Sequence, residues 1–250
     1  MFDTPPAAIV LWVAETFFLA GIVKGITGMG LPTVAMGVLG AMLSPLTAAA
    51  LLIVPSFVTN VWQLFAGPRP GTIARRLWPM MVGIVVGTVL GTSLLASAGT
   101  QLTTCVLGAA LVIYSGYTLW ARQLLVPRQH ESWLAPLIGL ATGAVTGGTG
   151  VFVIPAVPYL QSLNLGKEDL VQALGLSFTV STVALAVGLA LSGAFHVDNL
   201  AMSALAVAPA LAGMWMGQAI RLRVGAQAFR RWFLIGLLLL GVEMLMRPIF

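Results

Sequence analysis

The chain has 250 residues, of which 59% are hydrophobic and 8% charged, and its mean hydropathy is +1.00. A soluble domain carries about 25% charged residues, so a soluble enzyme or binding module is excluded and an integral membrane protein is expected. The net charge of +5 then reads as arginines in cytoplasmic loops rather than as a nucleic-acid surface.

At about 20 residues per span, the length allows roughly eight to ten membrane segments and no soluble domain. Residues Met1 to Pro6 include Asp3 and no basic residue, which does not resemble a cleaved signal peptide. The first apolar segment runs from about Ala7 to Lys24-Gly25-Ile26-Thr27-Gly28-Met29-Gly30-Leu31-Pro32 and resumes over Leu31–Leu43. A helix in lipid must satisfy its own backbone. Three glycines and a proline undo that arrangement, and Lys24 adds a charge costing roughly 2.5–3.5 kcal/mol at mid-membrane. The bland reading is a kinked helix whose lysine reaches the interface. Glu15, nine residues earlier, projects about half a turn away from Lys24 and is a candidate for proton coupling rather than its partner.

Ser44-Pro45 reads as a cap and first turn, opening a span over about Leu46–Ala66. Within it Ser56, Thr59, Asn60 and Gln63 recur at i, i+3, i+4 and i+7 and share one face, with Pro55 bending the helix before them. Gly67-Pro68-Arg69-Pro70-Gly71 is a turn, followed by Arg75 and Arg76. The next span, about Leu77–Ser97, has Gly83, Gly87 and Gly91 four apart, a stripe for close helix packing at which alanine is expected to be mild and leucine damaging. Leu102–Trp120 follows, with Tyr114, Tyr117 and Trp120 read as interfacial anchors. Cys105 stands alone, with neither a disulfide framework nor a thiol metal site. The connector Ala121–Ser132 carries Arg122, Arg128, His130 and Glu131.

A second broken segment covers Trp133–Leu163, with its Gly/Thr-rich break at Thr146-Gly147-Gly148-Thr149-Gly150 and Pro155 beyond. Lys167–Leu191 is the next span and includes Ser177, Thr179, Ser181 and Thr182; about Leu200–Ile220 and Phe229–Met246 complete the chain, with Glu243 interfacial. The halves repeat. Gly87, Gly91, Gly99 and Gln101 return at Gly213, Gly217, Gly225 and Gln227, Ser56-Phe57 returns at Ser177-Phe178, and Gly28-x-Gly30 at Gly148-x-Gly150. If the second half is inverted, Arg69, Arg75, Arg76, Arg122, Arg128, Lys167, Arg221, Arg223, Arg230 and Arg231 fall on one side, leaving only Lys24 and Arg247 elsewhere. The positive-inside bias therefore favours two inverted repeats with both termini outside. Each half must cross an odd number of times: three full spans plus a re-entrant hairpin, or five crossings. The expected organisation is an all-α polytopic protein with a first repeat at 1–122, a cytoplasmic connector at 123–132 and a second, inverted repeat at 133–250.

Paired interrupted segments point to a transporter's binding site. Lys24 is the first choice for an anion contact. Thr27, Gly28, Gly30, Thr146, Gly148, Thr149 and Gly150 at the breaks, with Ser56, Asn60, Gln63 and Ser177, supply hydroxyls, amides and backbone N–H groups that could bind oxyanions. No HExxH, GxSxG or Walker-type loop occurs, His130 and His196 fall in opposite connectors, and no acidic cluster suits a metal. Neither an enzyme, a cofactor nor ATP drive is indicated.

The runs Gly25-Ile26-Thr27-Gly28-Met29-Gly30, Pro55–Gln63, Gly147–Pro155 and Ala173-Leu174-Gly175-Leu176-Ser177 resemble the TauE/SafE family of membrane permeases, and the resemblance covers essentially the whole chain. The first copy departs from the family's pattern at Leu31-Pro32. Membership implies a bacterial inner-membrane exporter of sulfite, a small organosulfonate or a similar anion, with lipid as its other partner and a homo-oligomer left open. The expected site lies between the two breaks near the midplane and works by alternating access. A non-transporting scaffold with the same fold is the competing class.

Overall fold

The structure, a computed structural model, describes residues 6–120, 125–193, 197–221 and 226–247. Arg122, His196, Arg223 and Gly225, and the side chain of Gln227, lie outside the described residues.

All regular structure among the described residues is helical: α1 Pro6–Thr27, α2 Leu31–Met42, α3 Pro45–Phe65, α4 Pro70–Ser97, α5 Thr100–Trp120, α6 Arg128–Thr149, α7 Ala156–Ser162, α8 Lys167–Leu191, α9 Val197–Leu205, α10 Val207–Arg221 and α11 Ala226–Met246. Six stretches are long and apolar enough to cross a membrane: α1, α3, α4, α5, α8, and α9–α10 from Leu200 to Arg221. The chain is an all-α polytopic membrane protein. Ser44 caps α3 as its sequence suggests, its hydroxyl accepting the Thr47 N–H at 3.1 Å. Connector residues 128–132 belong to α6 and are not loop.

Proline 55 cannot donate to the carbonyl of Leu51, and the neighbouring helix answers this. The Ser203 hydroxyl of α9, fully buried, donates to Leu51 C=O at 2.7 Å and accepts the Val54 N–H at 3.1 Å. In lipid the otherwise unpaired carbonyl would cost several kcal/mol, so this pair pins α9 to the bend of α3.

Glycine stripes decide which helices lie side by side. A methyl group on Gly87 would stand 2.2 Å from the Leu140 carbonyl oxygen, and Gly83, Gly91, Gly139, Gly143 and Gly147 are similarly confined between α4 and α6. The same contact joins α1 to α10: a methyl on Gly21 would meet Ala210 O at 2.2 Å, and one on Gly213 would meet Phe18 O at 2.0 Å. The backbones touch, so the expectation that alanine is mild at Gly87 is corrected: a single methyl already overlaps the facing main chain. In both pairs the residue numbers rise together, so the helices run parallel.

At one end of the bundle Arg69 pairs with Asp169 at 2.9 Å and Arg76 with Glu131 at 2.6 Å, with Lys167 and Arg221 beside them. At the other end Arg247 pairs with Glu243 and also donates to Ala41 C=O, both at 2.6 Å. Six of the seven tryptophans are exposed within about two turns of the basic end: Trp62, Trp78, Trp120, Trp133, Trp215 and Trp232; Trp12, also exposed, lies toward the other end beside Met42 and Leu43. Tyr117 is exposed as an anchor should be, whereas Tyr114 is buried and its hydroxyl turns to Met29 Sδ at 3.9 Å.

Candidate functional site

Each break is closed by the same device. After α1, the Thr27 hydroxyl donates to Val23 C=O at 2.8 Å and accepts the Met29 N–H at 3.2 Å. After α6, the Thr149 hydroxyl donates to Val145 C=O at 2.6 Å and accepts the Val151 N–H at 3.1 Å. The next residue adopts left-handed backbone, Gly28 at φ 78° and Gly150 at φ 72°, and its N–H returns four residues to Lys24 or Thr146 C=O at 2.7 Å in both cases. Positions 27 and 149, and 28 and 150, each differ by 122. The structural partner of Gly28 is therefore Gly150, not Gly148, and Lys24 corresponds to Thr146.

This bonding alters the expected donor set. Thr27, Thr149 and Thr146, which donates to Thr142 C=O at 2.7 Å, direct their hydroxyls to their own helices. The nearest acceptor for a hydroxyl in an apolar helix is the carbonyl one turn back. Gln63 donates to Gly28 C=O at 2.9 Å and to Val171 C=O at 3.2 Å, so its amide holds the first break against α3 and α8. Gly30, at φ 104°, packs against Val23 and Phe233.

Lys24 is 3% exposed and its ammonium donates to Thr59 Oγ1 at 3.1 Å and to Asn60 Oδ1. Asn60 in turn donates to Thr182 Oγ1 at 3.4 Å, linking α1 through α3 to α8. Among the described residues no carboxylate pairs with Lys24. The cation is thus solvated by neutral oxygens alone, an arrangement that leaves its charge uncompensated. Close by, the fully buried hydroxyls of Ser56, Ser177 and Ser181, all on the α3 and α8 polar faces, find no protein partner.

The first break opens onto a cavity of about 710 Å³ lined by Lys24, Gly25, Gly28, Trp62, Gln63, Ala66, Lys167, Val171, Met214, Trp215, Gln218, Ala219 and Arg221. Among the described residues three cations and no carboxylate face this space. Sequence reading missed Gln218, Lys167 and Arg221 as wall residues; the signal was the Gly25–Gly217 approach, which lays the last turns of α10 beside α1.

The second break stands elsewhere. Thr146, Gly148, Thr149 and Gly150 do not line the cavity. A methyl on Gly148 would meet Leu94, three residues from the end of α4, and one on Gly150 would meet Met36. Since Arg76, near the start of α4, marks the basic end, the second break stands toward the far end of α4, against the middle of α2 and outside the cavity at the first break. Glu15 is exposed on the surface of α1 and away from the cavity.

A family model described as Sulfite exporter TauE/SafE matches residues 13–244, nearly the whole chain. Comparison with curated proteins and with solved structures finds no match.

Proposed function

The chain belongs to the sulfite exporter TauE/SafE family, and from that membership we propose a secondary transporter whose anionic substrate enters the cavity at the basic end and meets Lys24. Sulfite or a small organosulfonate is the proposed cargo, moving outward across the bacterial inner membrane. One observation carries the reading: a buried ammonium with no carboxylate partner among the described residues, in a cavity whose other described charges are Lys167 and Arg221. A buried cation costs several kcal/mol, and a bound oxyanion offsets it through charge-assisted hydrogen bonds.

Thr59 and Asn60 hold the ammonium when no anion does, so binding exchanges neutral acceptors for a charged one. The route is proposed to run between the two breaks, past the polar faces of α3 and α8, with Ser56 and Ser177 on its way. The parallel pairs α4–α6 and α1–α10 support a two-fold relation between inverted repeats 1–122 and 133–250, which would rock about that axis for alternating access. On this reading each half crosses five times. α1 is long enough to cross alone, and α2 returns its end, Met42 and Leu43, to Ile9 and Trp12. Both termini are then outside, and cysteines placed at Arg75 and Arg221 label from the same, cytoplasmic face. Labelling from opposite faces overturns the topology.

Flux of sulfite and a panel of sulfonates into vesicles containing the purified protein tests the transport reading. Saturable anion flux that vanishes in Lys24→Ala, in a monodisperse protein, is the expected result. A scaffold would give none with the unaltered chain.

A further inference from the structure

The anion cavity is not closed off from lipid. Trp62 and Ala66 belong both to it and to a second, apolar hollow of about 470 Å³ lined by Phe57, Val58, Val61, Trp62, Phe65 and Ala66, all on the outer face of α3. Phe57, Trp62 and Phe65 are exposed there, as is Trp215 across the gap on α10. In a membrane-spanning protein such a face meets acyl chains, and its tryptophans mark headgroup depth. At that depth stand Lys167 and Arg221. Arg69, Arg76 and Arg247 are held by carboxylates, whereas neither Lys167 nor Arg221 has an ion pair among the described residues. Glu168 shares with them a smaller space of about 250 Å³ beside the mouth, and Asp169, two residues from Lys167, is taken up by Arg69.

From this juxtaposition we propose that the crevice between α3 and α10 is a binding site for an anionic phospholipid of the inner leaflet. Its phosphate lies against Lys167 and Arg221 and one acyl chain lies along Phe57, Val61 and Phe65. Two unpaired cations at the interface joined to an apolar trough require a ligand that is anionic at one end and hydrocarbon at the other. A small oxyanion satisfies the cations and leaves the trough unused, and a zwitterionic lipid brings no net charge. The lipid headgroup would share the mouth of the cavity with the substrate, so the leaflet's composition sets access to Lys24. That last consequence rests on the transport reading; lipid binding does not.

Native mass spectrometry of the full-length protein, titrated with phosphatidylglycerol or with phosphatidylcholine of the same chains, tests the proposal. Phosphatidylglycerol is expected to be retained preferentially. The double substitution Lys167→Ala/Arg221→Ala should reduce that retention by on the order of tenfold or more, since each surface cation contributes roughly fivefold. Lys167→Arg/Arg221→Lys should preserve it, and Arg247→Ala at the opposite end should leave it unchanged. Val61→Trp, which fills the trough, should lower retention of long-chain phosphatidylglycerol while a dihexanoyl analogue binds weakly to every variant. Equal retention of the two lipids, or retention unaffected by the double substitution, overturns the site. Sulfite flux in vesicles of phosphatidylcholine alone separates the two claims: flux there with no phosphatidylglycerol preference refutes the lipid site only, and lipid preference without flux under any condition refutes transport only.

Discussion

The two helix breaks are built alike and charged differently. Thr27-Gly28 and Thr149-Gly150 close their helices with the same threonine bonds and the same left-handed glycine. Three residues before each threonine the likeness ends: Lys24 in one half, Thr146 in the other. Lys24 reaches across to Thr59 and Asn60 of α3, whereas Thr146 bonds its own helix. The corresponding α8 residues, 122 positions on, are Ser181, whose hydroxyl has no protein partner, and Thr182, which accepts from Asn60. The repeated feature is therefore the architecture of the break, and the unrepeated one is charge. If the site were a property of the breaks, both would matter equally; if it is a property of the charge, only one does.

The sharpest test of that difference removes each member of the pair. Lys24→Ala should lower anion flux by at least about a hundredfold, equivalent to ~2.7 kcal/mol for one charged contact. Thr146→Ala, which deletes a hydroxyl bonded within its own helix, should change flux by less than about fivefold. Equal losses would show the halves to be functionally equivalent. Next in size is Asn60→Asp. It places a carboxylate against the ammonium and makes an internal ion pair, so the substrate must compete with it. Affinity for sulfite, measured by titration calorimetry, should fall roughly tenfold, given ~1.5–3 kcal/mol for a hydrogen bond to a charged group; unchanged or tighter binding contradicts Lys24 as the anion contact.

The glycine contacts test whether the halves are equal in packing as they are in break geometry. Gly87→Ala and Gly213→Ala each force a methyl into a facing carbonyl, at 2.2 Å and 2.0 Å. Overpacking of this kind costs about 1–3 kcal/mol. Both variants should lose thermal stability in detergent by similar amounts. Loss confined to one of them would show that α4–α6 and α1–α10 are not matched interfaces.

Much of the fold was legible because lipid makes backbone economics visible. Apolar runs of 20 residues, Ser44-Pro45 at a helix start and glycines every fourth residue each have one inexpensive solution, and α3 and α8 begin and end within a residue or two of where the pattern places them. Asn60 and Gln63 share a face of α3 as their spacing implies, and both turn to α1 and its break: Asn60 accepts from Lys24 and Gln63 donates to Gly28 C=O. The depth of the second break was not legible, since a Gly/Thr run reports that a helix ends and not where in the membrane it does so. Nor was the engagement of the threonines. A hydroxyl that can bind a ligand can equally bind the carbonyl one turn back, and sequence does not rank the two. Lys167 and Arg221 escaped notice as cavity residues because interfacial cations are ordinary there. Only the packing of α10 on α1 brings Arg221 beside Lys167.

The smallest expected effect is the most discriminating about the breaks themselves. Thr27→Val and Thr149→Val are nearly isosteric and each removes the bond to the carbonyl four residues back and the one from the N–H two residues on; the Thr27 hydroxyl also lies 2.5 Å from Met29 C=O. In water the exposed groups would be resolvated, but within the bilayer nothing replaces them. Each substitution should therefore destabilise its half by about 1–3 kcal/mol, the cost of leaving a buried donor unpaired, and the two losses should agree within experimental error because the geometries do. Their effects on transport should not agree. Gly28 follows Thr27, and its carbonyl accepts from Gln63 at the cavity wall, so loosening this turn shifts Lys24 relative to Asn60. Gly150 follows Thr149 and faces Met36, away from the cavity. Thermal denaturation paired with vesicle flux reads both quantities on the same preparations. Matched stability losses, with a several-fold flux loss in Thr27→Val alone, would mean that duplication supplied two breaks and that Lys24 made one of them a site. Matched flux losses would mean that the second break moves during transport and contributes as much as the first.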